Sequence, residues 1–189
     1  MRISKKLNIV VPVETSEHGK VYVHSVPISR DIFEQFYEQL GAVFSQSLDG
    51  VAKAHLALSA PQLAYPALKT MAKAAGNWEG NGGVRQGLVN EIIRLTNVQI
   101  NDESGWKTIP LATVISREML DEEEESEVIS TLVFFTSISL VAPKELKKAF
   151  LEMAGSLRNW QLTSLDCTEF KAGLPISTAA EVTPYTATA

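Results

Sequence analysis

Apolar positions along the chain follow two different periods. Near the N-terminus Leu7 to Val13 is rich in Ile and Val, and Val21 to Val26 alternates, with Val21 and Val23 set against Tyr22 and His24. The polar link Glu14–Lys20 between them contains Gly19. Two β-type runs joined in this way predict a hairpin over about residues 5–26. A lone hairpin is marginally stable, so it must pack on helices or pair with a further strand. After Pro27 the period changes. Ser29 is a good N-cap, and Ile32, Phe33, Phe36, Tyr37, Leu40, Val43 and Phe44 recur at helical spacing. An aromatic stripe at that spacing reads as core rather than as a partner groove.

Asp49-Gly50 is expected to break this helix, and Val51–Leu58 reads as a further alanine-rich helix. The next helix runs from Ser59-Ala60-Pro61 to about Ala75, with Pro66 expected to kink or divide it. Four glycines between Gly76 and Gly83 mark a loop, and a helix over Val84–Val98 follows. Ile100–Lys107 reads as a polar turn, Trp106–Ile109 as a short strand, and Leu111–Leu120 as a short helix.

Next comes the acidic block Asp121-Glu122-Glu123-Glu124-Glu125, followed by an apolar run to Val141. Carboxylates suit a helix N-terminus, and Asp121 with Glu124 is a plausible capping pair. This is taken as the central helix. Lys144–Leu157 is amphipathic, with Phe150 and Met153 on its apolar side. Leu165–Phe170 suggests one helical turn, and the Ala/Thr/Pro-rich stretch from Gly173 to Ala189 suggests disorder. The expected fold is mainly α with an N-terminal β-hairpin (α+β). It comprises one globular domain over 1–158 with a helical bundle-like body over about 29–157, then a poorly ordered C-terminal extension over 159–189.

Composition narrows the function classes. Hydrophobic content of 45% and charged content of 21% suit a soluble globular protein. A net charge of -5 argues against nucleic acid, which needs a concentrated basic face. The single cysteine, Cys167, excludes an internal disulfide and favours a reducing compartment. Leu7–Val13 is too short for a signal peptide and contains Pro12, and the run from Val128 to Pro143 is too short to span a membrane.

Residues with chemical potential have bland explanations. Consecutive carboxylates on a helix point in different directions, so the acidic block is not a metal loop. The Gly76–Gly83 loop lacks the lysine and hydroxyl of a phosphate-binding loop. His18, His24 and His55 have no ligand-spaced neighbours, Ser104-Gly105-Trp106-Lys107 lacks companion motifs, and Cys167 has no obvious base. No catalytic, cofactor or metal residue is expected, and the protein is expected not to be an enzyme.

Phrases distributed along the chain do resemble a known family. They are Lys6-Leu7-Asn8, Tyr22-Val23-His24-Ser25 with Pro27-Ile28-Ser29-Arg30, Gly87-Leu88 through Glu91-Ile92, and Arg94-Leu95-Thr96-Asn97-Val98. Gly105-Trp106 with Ile109-Pro110-Leu111, Glu127-Val128 to Phe134-Phe135, Thr163 through Phe170, and Leu174-Pro175 continue the series. Taken together they resemble the tail assembly chaperones of tailed bacteriophages, encoded near the tape measure gene. The chain departs from the short forms of that family in its size and its N-terminal hairpin.

The resemblance implies a host-cytoplasmic protein that binds the tape measure protein, and as a further partner the tail tube protein, without a cofactor, nucleic acid or membrane. A homo-oligomer is also compatible with it. The expected partner seat lies between the 121–141 and 144–157 helices, at Leu132, Phe135, Phe150 and Met153. The alternative is a structural tail or head–tail component, which would remain in purified virions.

Overall fold

The computed structural model describes residues 7–52, 60–102, 104–143, 147 and 159–175. The expected 144–157 helix, apart from residue 147, the stretch 53–59 and the tail beyond 175 lie outside the described residues.

The predicted hairpin is present as β1 (Asn8–Thr15) and β2 (Gly19–Ser25). It is the middle of a larger antiparallel sheet. β3 (Thr96–Asp102), β4 (Gly105–Pro110) and β5 (Gln161–Thr163) complete the order β4-β3-β2-β1-β5. Alternation sends Ile9, Val11, Val13, Val21, Val23, Val98 and Ile100 to one face, where they join the core. The expectation that Thr96–Val98 ends a helix and that Ile100–Lys107 is a turn is therefore corrected. Thr96, Val98 and Ile100 alternate with Asn97, Gln99 and Asn101, a strand pattern that the preceding Leu88, Ile92 and Leu95 had masked.

Helices cover the apolar face. α1 (Arg30–Gln35) starts at Ser29, whose hydroxyl accepts the Ile32 N–H, and α2 covers Tyr37–Ala52. The expected single helix is divided at Phe36. Its ring seats so closely on Gly87 that a Cβ there would collide with it. α2 then runs on through Asp49 and Gly50, since one helical glycine costs only about 1 kcal/mol. Instead of one helix over 84–98, Gly87 lies in a π-helical turn (Arg85–Val89) that leads into α4 (Asn90–Arg94). α5 covers Leu111–Ser116.

The central helix, α6 (Glu122–Val141), is buried on every side from Val128 to Ile138 and packs on β1, α2 and α3 (Ala60–Ala74). The expected bundle-like body thus takes the form of a helical layer laid on a sheet. No described helix is long and apolar enough to cross a membrane.

α3 passes through Pro66 without dividing, and the reason lies on α6. Proline has no N–H to give to the carbonyl four residues back, here Gln62. The Ser130 hydroxyl donates to that carbonyl at 3.0 Å and accepts the Tyr65 N–H at 3.3 Å. One fully buried serine of α6 therefore completes the broken ladder of α3. The last described element is α7 (Cys167–Ala172), the helical turn predicted near Leu165–Phe170, with its own Asp166–Glu169 capping box.

Replacing Ser130 by Ala should destabilise the protein by about 1–2 kcal/mol in denaturant unfolding, the usual cost of an orphaned acceptor. In a Pro66→Ala background the restored N–H should remove much of that cost, a coupling measurable by a double-mutant cycle.

Candidate functional site

The acidic start of α6 behaves as its sequence suggests. Asp121 accepts the Glu124 N–H at 2.8 Å, and Glu124 Oε2 accepts the Asp121 N–H at 3.0 Å. The other oxygen of Glu124 accepts the Ser16 N–H at 3.0 Å, so the cap also fastens the β1–β2 turn. Glu124 and Asp121 are thereby committed to structure.

Their neighbours are not. The side chains of Glu118, Glu122 and Glu125 form no hydrogen bond or ion pair among the described residues and line a groove of about 540 Å³ between α3, α5 and α6. Glu118 reaches it from a left-handed backbone, φ 53°, in the link after α5. The apolar lining comes from Tyr65, Ile115, Leu120 and Ile129. Lys69, the one cation among the lining residues, lies 5.9 Å over the Tyr65 ring. Burial raises the Tyr65 phenol above its ordinary 10.0, with Arg85 opposing and Glu125 reinforcing. The phenol is therefore a protonated hydrogen-bond donor at neutral pH. An apolar lining beneath unpaired carboxylates can accept an apolar side chain and a cation together.

Comparison with protein-family models, curated proteins and solved structures gives no match to this chain.

Of the partner seat expected from sequence, Leu132 and Phe135 fall among the described residues. Leu132 and Phe135 are each 1% exposed and belong to the core, because α6 is covered on all sides. Neither can touch a partner while the helical layer is closed. Phe150 and Met153 lie outside the described residues. The groove is hidden in sequence because Tyr65 and Lys69 join it from α3, about fifty residues before the Ile115–Ile129 stretch that supplies the rest of its lining.

The remaining chemical candidates are scattered. His24 is fully buried, with Nε2 donating to the Leu165 carbonyl at 3.1 Å, while His18 sits in the β1–β2 turn and His55 is outside the described residues. Burial pushes the Cys167 thiol up, against a hydrogen bond from Gln99, which makes it a poor nucleophile. Among the described residues no three His, Cys, Asp or Glu side chains gather as a metal site.

Ser104 and Lys107 serve the β3–β4 turn. Both bind Asp102, whose carboxyl is held down from its ordinary 3.8 to about 2, first by Lys107 and then by Ser104. A depressed carboxylate favours the folded turn above its unfolded pKa and loses that contribution as pH falls through the folded value. An NMR titration should place the Asp102 midpoint near 2, with the turn loosening between about pH 4 and 2. In Lys107→Ala the midpoint should move back toward 3.8.

Proposed function

We propose that this chain is a tail assembly chaperone of a tailed bacteriophage, working without catalysis in the host cytoplasm. Its role is to hold the tape measure protein while tail tube subunits assemble around it. The observation that carries this reading is the ordered series of family-like phrases from Lys6 to Pro175. The groove beside the α6 cap adds a physical means of binding. A tape measure helix would seat an apolar side chain against Ile115, Leu120 and Ile129 and place a lysine or arginine among Glu118, Glu122 and Glu125. Moving the seat from the apolar half of α6 to its acidic end leaves the core intact during binding.

Coexpression with the neighbouring tape measure gene, followed by affinity capture, tests both parts. The native chain should retain the tape measure protein, and added salt should weaken the complex. The triple change Glu118→Gln, Glu122→Gln and Glu125→Gln spares the Asp121–Glu124 cap and should reduce capture about tenfold. Unchanged capture by that variant would remove the groove from the account. Absence of capture by the native chain, with the chain instead present in purified virions by mass spectrometry, would favour a structural tail component.

A further inference from the structure

The α3 side of the groove differs in chemistry from the carboxylates that α6 brings to it. Tyr65 is half-buried there, and the buried Trp78 packs on its ring at 6.1 Å, which fixes the ring in place. Lys69, one turn further along α3, holds its ammonium 5.9 Å from the centre of that ring. Among the described residues it makes no ion pair, although four carboxylates, Glu118, Asp121, Glu122 and Glu125, line the same groove. Burial raises the Tyr65 phenol, Arg85 opposes the rise and Glu125 adds to it. The Glu125 carboxylate therefore lies within electrostatic reach of the ring.

This arrangement discriminates between cations. An ammonium is a compact point charge, and the resident one has taken the ring and left the carboxylates unpaired. A guanidinium is planar, so its face can stack on a ring while its N–H edge donates to carboxylates. With a braced ring on α3 and Glu122 and Glu125 on α6, the groove offers both contacts to one group. The excess of carboxylates over Lys69 favours a second cation and disfavours an anion.

On the reading of this groove as the partner's seat, we propose that it selects an arginine of an amphipathic helix. The guanidinium takes the Tyr65 ring from Lys69 and donates to Glu122 and Glu125. Lys69 is then the specificity-determining residue. It holds the ring against a partner's lysine, which would only exchange one ammonium for another, and yields it to a group that gains the carboxylates as well.

The test titrates the full chain with n-hexylguanidinium and n-hexylammonium, which carry the two head groups on the same apolar chain. Binding is followed by the NMR shifts of the Ile115 and Ile129 methyl groups. The guanidinium should bind about fivefold more tightly. Lys69 is exposed, so Lys69→Met should fold; it keeps the apolar stem, frees the ring and should narrow the ratio to about twofold by tightening the ammonium more. Glu125→Gln should narrow the ratio as well, by weakening the guanidinium. Equal affinities in the native chain, a ratio unmoved by Lys69→Met, or no shift at the two isoleucines would overturn the proposal. The probes contain no tape measure sequence, so the two readings fail separately. Probe selectivity without capture of the tape measure protein removes the chaperone and leaves the arginine site; capture with equal probe affinities does the reverse.

Discussion

A helix buried on every side has no solvent to satisfy its polar groups or those of its neighbours, and α6 meets that constraint with its own side chains. Thr136 and Ser137 return their hydroxyls to the carbonyls of Leu132 and Phe134. Ser130 instead gives its hydroxyl to α3, filling the gap that Pro66 leaves at Gln62. At the N-terminus Glu124 closes the capping box and holds the hairpin turn through Ser16. Phe134 receives Trp160, which starts the segment that closes the sheet. Helical layer, hairpin and sheet edge are all fastened to this one element.

That arrangement divides α6 into two regions with separate duties. From Val128 onward every side chain to Ile138 is buried, so a change there acts on the fold as a whole. Before Val128 the helix is acidic and largely exposed, with two carboxylates used in its cap and others left unpaired beside an apolar groove. Recognition at the unpaired end requires no opening of the core. In the proposed role, a chaperone that grips and releases a long partner would keep its own structure through each cycle.

What could be read in the sequence was mostly what is local. Ser29 and Asp121–Glu124 cap helices because capping is decided within four residues, and the hairpin follows from two β-type runs around Gly19. What could not be read depends on distant partners. Thr96–Asp102 is a strand because β2 and β4 flank it, and Gln161–Thr163 is one because β1 offers an edge. Pro66 keeps its helix because Ser130 lies opposite, and Phe36 breaks one because Gly87 leaves it room. The apolar run around Leu132 and Phe135 was legible as apolar, but core and partner seat look alike until the covering elements are known. The groove was least legible, since Tyr65 and Lys69 of α3 meet the stretch from Ile115 to Ile129 only in the folded chain.

Native-state hydrogen exchange distinguishes α6 as the structural hub from α6 as a detachable element. Amides from Val128 to Ile138 should be the slowest in the chain, exchanging only with global unfolding as judged against the unfolding free energy from denaturant. If those amides instead exchange through a local opening while Val11, Val23 and Val98 in the sheet stay protected, α6 is a detachable element and the account is wrong.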